Sequence, residues 1–91
     1  MTTDVRSVTL TADGTVYAGR QRIRHITYLA TATAGSIVLK DGGASGVVKL
    51  DVATPAIADA YDIVIPGEGI LFDTDVYLDL TNVSSVTFFY G

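Results

Sequence analysis

Few side chains in this 91-residue sequence could do chemistry. His25 is the single histidine, and it stands in a strand-forming run beside Arg20, Arg22 and Arg24. A general base or metal ligand there competes with a structural role, and the structural role is the simpler account. There is no cysteine, hence no thiolate nucleophile, disulfide or zinc-thiolate site. A Ser–His–Asp set can be assembled on paper. However, Gly43-Ala44-Ser45-Gly46 lacks the nucleophile-elbow pattern and leads into a strand. The same loop lacks the Gly-Lys-Ser/Thr ending of a phosphate cradle, and no helix dipole follows it. It reads as a turn.

Asp73-Thr74-Asp75, with Asp79 or Glu68, offers a fragment of a hard-cation site. Calcium takes about six to eight oxygens, so the triplet reads instead as a solvated acidic turn that blunts a sheet edge. Asn82-Val83-Ser84 has the glycosylation spacing but reads as a tight turn, because no secretion signal precedes it. No catalytic residue, cofactor or metal is expected.

Charge is divided unevenly. Residues 1–49 hold all six cations (Arg6, Arg20, Arg22, Arg24, Lys40, Lys49) with three acids, and residues 50–91 hold seven acids and no cation. A net charge of −4 argues against nucleic acid, which is bound by neutralising phosphates with Lys and Arg. The basic run Arg20-Gln21-Arg22-Ile23-Arg24 has few aromatics around it to stack bases. Two accounts of the split remain: acidic and basic strands pair within one sheet, or the halves meet across a subunit boundary. The N-terminus lacks the basic start and apolar run of a signal peptide. The longest uncharged stretch, 26–39, is broken by Thr, Ser and Gly and is no membrane span. Synthesis and retention in the cytoplasm are expected, unless a larger assembly carries the chain out.

The elements that must position these residues are strands. Val, Ile and Thr make up about a third of the chain, a bias that favours strands over helices. No helix is expected beyond one turn near 56–60. Gly, Pro and Asp clusters divide the chain into about eight short strands: 5–11, 15–18, 23–32, 36–40, 47–53, 61–65, then 70–72 and 76–81 connected through Asp73-Thr74-Asp75, and 85–90. Asp13-Gly14 reads as a two-residue hairpin between the first two. The expected fold is all-β: a single-domain antiparallel β-sandwich, jelly-roll-like, over residues 1–91. Its core is expected from Val8, Leu10, Ile37, Leu39, Leu50, Val52, Ile63, Ile65, Leu78, Leu80, Val86 and Phe88.

Two strands look apolar on both faces. One pairs Ile23, His25, Thr27 and Leu29 against Arg22, Arg24, Ile26 and Tyr28; the other sets Val86, Phe88 and Tyr90 against Phe89. So small a domain cannot bury both faces by itself, which implies a partner subunit.

Several runs carry a family resemblance: Ile37-Val38-Leu39-Lys40-Asp41-Gly42 with Ala44-Ser45-Gly46; Asp51 through Thr54-Pro55-Ala56; Gly69-Ile70-Leu71-Phe72-Asp73-Thr74 with Val76-Tyr77; and the ending Val86-Thr87-Phe88-Phe89-Tyr90-Gly91. Over residues 20–91 the chain resembles small virion structural proteins of tailed bacteriophages, of the marine-phage type. The resemblance implies a β-sandwich accessory part of the virion and brings no catalytic residues.

The expected function is therefore non-enzymatic: a head-decoration (cement) protein that sits on the capsid shell and staples neighbouring capsomers. The alternative is a tail, fibre or adaptor component, with or without a carbohydrate-binding face. Exposed Tyr17, Tyr28 or Tyr77 aligned with Asp or Asn would favour sugar; a buried tyrosine set at a symmetry axis would favour assembly. Expected partners are further copies of the chain, as a homotrimer, and the major capsid protein or another virion protein, with no nucleic acid or membrane. The expected location is the virion, after synthesis in the host cytoplasm. The interface is expected from Arg20, Arg22 and Arg24, facing acids such as Asp59, Asp62, Asp73 or Asp75, with Ile26, Tyr28 and Phe89 supplying apolar contact.

Overall fold

The computed structural model describes residues 5–91. Nine strands form in chain order: β1 (Arg6–Leu10), β2 (Gly14–Tyr17), β3 (Gln21–Ala30), β4 (Gly35–Asp41), β5 (Val47–Thr54), β6 (Ala60–Val64), β7 (Ile70–Phe72), β8 (Val76–Thr81) and β9 (Val83–Tyr90). About eight were expected, and 70–72 and 76–81 form as the two strands expected there, in different sheets, because the turn at Asp73–Asp75 carries the chain from one layer to the other.

All pairings are antiparallel. One sheet runs β1-β9-β3-β6, with β7 alongside β3 on the flank that β6 leaves free. The other runs β2-β8-β4-β5. If the three-residue β7 is set aside, the first strand pairs the last, the second the next-to-last, and so inward to the β4–β5 hairpin. A chain folded back along its length in this way and then wrapped into two layers is a jelly roll.

That wrapping overturns the expected hairpin at Asp13-Gly14. β1 pairs β9 and β2 pairs β8, so residues 11–13 bridge the two layers without closing a hairpin, and Gly14 already stands in β2 opposite Leu78. Asp13 uses its carboxylate instead to accept the Leu80 N–H, at 2.6 Å. The return crossing from β8 to β9 takes one residue. Asn82 sits there with φ 51°, a left-handed conformation that asparagine tolerates, and its amide Nδ2 donates to the Ala34 carbonyl at 3.1 Å.

The core lies between the sheets. Ile23, Ile26, Ile37, Leu39, Phe72, Val76, Leu78, Val86 and Phe88 are fully buried there. Five of the twelve expected core residues are buried (Ile37, Leu39, Leu78, Val86 and Phe88), and Ile65 joins them just beyond β6; the other six pack half-buried against this cluster. Four of the unexpected members, Ile23, Ile26, Tyr28 and Ala30, come from β3, and the physical reason there is a bulge. Ile23 pairs Tyr90 while His25 pairs Phe89, so β3 carries one extra residue, Arg24, against a single step of β9. The extra residue resets the two-residue alternation, and Ile23, Ile26, Tyr28 and Ala30 all turn inward. A second bulge, where Leu29 pairs Ser85 and Ala30 pairs Val83, does the same for Val83 and Val86 of β9. Gly69 lies against the first bulge with φ 91°, and any Cβ there would run into the Ile23 carbonyl. Only glycine fits.

Candidate functional site

With Ile23, Ile26 and Tyr28 turned inward, β3 presents His25, Thr27 and Leu29 on the outer face of the five-stranded sheet. The ladder registers set these into rows. Ser7, Phe89, His25 and Val64 lie in one row across β1, β9, β3 and β6. Thr9, Thr87, Thr27 and Asp62 form the next, and Ser85, Leu29 and Ala60 the third. The Phe89 and His25 rings touch with centroids 5.7 Å apart. Thr9 Oγ1 and Thr87 Oγ1 share a hydrogen bond of 2.7 Å. Val64 is 78% exposed and Leu29 44%. Asp62 is the only acid in these rows; its carboxylate lies 3.8 Å from His25 Nε2, an ion pair when the imidazole is protonated. With both partners solvent-accessible, such a pair contributes at most about 1 kcal/mol.

Of the expected interface residues, Phe89 lies on this face, and alternation about the buried Ile23 turns Arg22 and Arg24 to the same side. Ile26 is fully buried, and Tyr28 is 7% exposed and stacked on Tyr61, with ring centroids 5.5 Å apart. The bulge at Arg24 removed both from the surface. Burial, and then the neighbouring Tyr61, raise the Tyr28 hydroxyl above its ordinary pKa. Arg20 is exposed in the turn before β3, and Arg22 pairs with Leu71 of β7. Arg24 Nε donates to the Gly91 carbonyl at 2.8 Å. No arginine forms an ion pair among the described residues.

Of the acids expected to answer them, Asp75, Asp59 and Asp62 are occupied in another way, and Asp73 contributes its N–H to Asp41. Asp41 accepts the N–H groups of Asp73 and Thr74 at 2.9 and 2.8 Å, and that of Asp75 at 3.4 Å. Asp75 in return accepts from Gly42 and Gly43 at 2.9 and 3.0 Å. The loops after β4 and β7 are thus clamped reciprocally through two carboxylates. The hydrogen bonds from Asp73 and Thr74, more than any cation, hold the Asp41 carboxyl below its usual range. Asp59 accepts the N–H of Ala60. A carboxylate turned onto backbone amides is not offered to a cation, and no cluster of three metal-ligating side chains occurs among the described residues.

Tyr28 is inside, Tyr17 packs on Tyr90 with centroids 5.3 Å apart, and Tyr77 stands half-buried between Thr15 and Lys40. No pocket indents the described surface. Sequence reasoning placed Phe89 outside but set His25 aside as structural; the two form one patch because β9 and β3 are neighbours. The alternation Ser85, Thr87, Phe89 marked one row of the face, but nothing in the sequence marks which strand lies beside it. The chain matches no family model, no curated protein and no solved structure.

Proposed function

We propose that this protein is a non-enzymatic virion structural protein, a capsid-decoration (cement) protein that docks on a protein surface through the outer face of its five-stranded sheet. The observation that carries the reading is that face: Phe89 against His25, flanked by exposed Val64 and Leu29 and a threonine row, with one acid among its side chains. Such a surface offers apolar contact, and Arg22 and Arg24, which alternation about the buried Ile23 turns to the same side, leave a partner cations to meet with acceptors. The jelly-roll order supports the reading by analogy, since viral capsid proteins use that architecture, although lectins and cupins share it. The resemblance of residues 20–91 to tailed-phage virion proteins supports it as well. Further copies of the chain and the major capsid protein are the partners proposed.

Purified particles of the phage whose genome carries this gene provide the test. The chain is expected there in stoichiometric amount, with cryo-electron microscopy placing it on the head shell. Phe89→Asp is expected to reduce rebinding to chain-free particles at least tenfold, while Val38→Asp on the opposite sheet leaves it unchanged. Density on the tail would favour the fibre or adaptor reading, and absence from the particle would overturn both.

A further inference from the structure

We infer that the free edge of β5 pairs antiparallel with β5 of a second copy across a twofold axis at Leu50, fusing two four-stranded sheets into one of eight strands. β5 bonds to β4 on one side and, among the described residues, to nothing on the other. At eight residues it is the longest free edge. β1 has five residues and β2 four, and the far flank of β3 is divided between β6 and β7. An unpaired edge offers its N–H and C=O groups to any second strand. This one also carries Val47, 67% exposed, and Val48, 51% exposed.

Charge selects the register. Leu50, Val52 and Thr54 turn toward the core, and Asp51 and Ala53 turn outward. Residues opposite one another in a continuous sheet share a face, so inward must meet inward. A twofold axis at Asp51 would set that carboxylate against its own copy. One at Val52 would set Asp51 against Ala53. With the axis at Leu50, Lys49 of each copy meets Asp51 of the other, twice. β5 carries one extra residue at Lys49 relative to β4, because Leu39 pairs Leu50 while Lys40 pairs Val48. The same extra residue across the new ladder brings Val47 opposite Val52. Lysines and bulges discourage indiscriminate edge pairing. Here they disfavour other partners and leave one self-register with matched charge. A twofold assembly replaces the threefold one expected from the sequence, and it stands independently of the virion reading.

Light scattering on the full chain tests it. At tens of micromolar the parent is expected at twice its 9.6 kDa mass. Lys49→Asp and Asp51→Lys each turn two attractive contacts into two repulsive ones, and each is expected to raise the dimer dissociation constant roughly tenfold. The combined swap K49D/D51K is expected to restore the parent value, with circular dichroism reporting that each variant is folded. Should one single variant unfold, the parent and the swap still decide. A monomeric parent, a mass of three chains, or a swap that fails to restore association would overturn the inference.

Discussion

The two outer faces of the sandwich are built by the same alternation and differ in how much apolar side chain they expose. The five-stranded sheet shows water Phe89, His25, Val64, Leu29 and a threonine row, with Asp62 alone as an acid. The four-stranded sheet shows Lys40 beside Tyr77, Asp79 and Asp51 flanking Val38, and an ion pair of 3.3 Å between Lys40 and Asp79. Both rest on one core, so the contrast is not imposed by folding. The five-stranded face also carries Arg22 and Arg24, so the contrast lies in its exposed apolar side chains, Val64 and Leu29 above all, and it is this feature that the proposed docking rests on.

The comparison can be sharpened first on β9, where neighbouring residues face opposite ways. Phe88 is fully buried, so Phe88→Ala is expected to lower stability by about 3–5 kcal/mol. Phe89→Ala, on the outer face, is expected to lower it by less than about 1 kcal/mol. Urea denaturation of both variants reads the difference directly, and equal losses would mean that the outer face is structural.

An intermediate effect is expected at the bulge that sets the outer face. Gly69→Ala forces a Cβ toward the Ile23 carbonyl at a positive φ, and a stability loss of about 1–3 kcal/mol is expected. Because the bulge places His25 outside, the same variant should shift the His25 and Phe89 resonances in NMR spectra, while those of Val38 and Asp51 on the opposite face stay in place.

The smallest effect belongs to the loops beside the charged sheet. Asp41 is held below the usual carboxylate range by amide donors, so its folded pKa lies under its unfolded one. Its contribution is therefore fully present above the ordinary aspartate value of about 3.9 and fades as the pH falls through the lower folded value. Asp41→Asn is expected to flatten that part of the stability–pH curve and to leave the curve unchanged near neutrality in slope. Thermal melts between acid and neutral pH check it.

Much of this molecule was legible from residue types alone. β-branched composition and Gly, Pro and Asp punctuation sufficed for an all-β chain, and the strands Ile70–Phe72 and Val76–Thr81 fall where the punctuation put them. Alternation sufficed for the inward Ile37, Leu39, Leu78, Val86 and Phe88, because a two-residue period is a local property of the backbone. Strand adjacency is not local. Asp13-Gly14 looks the same whether it closes a hairpin or crosses between layers, and only the pairing of β1 with β9 decides. The inward turn of Ile26 and Tyr28 depends on one extra residue against β9, some 65 positions away in sequence. The patch of His25 and Phe89 likewise exists only because those two strands lie side by side. What the chain determined by itself is the period within each strand; the phase and the neighbours came from tertiary structure, since both are set by contacts between residues far apart in sequence.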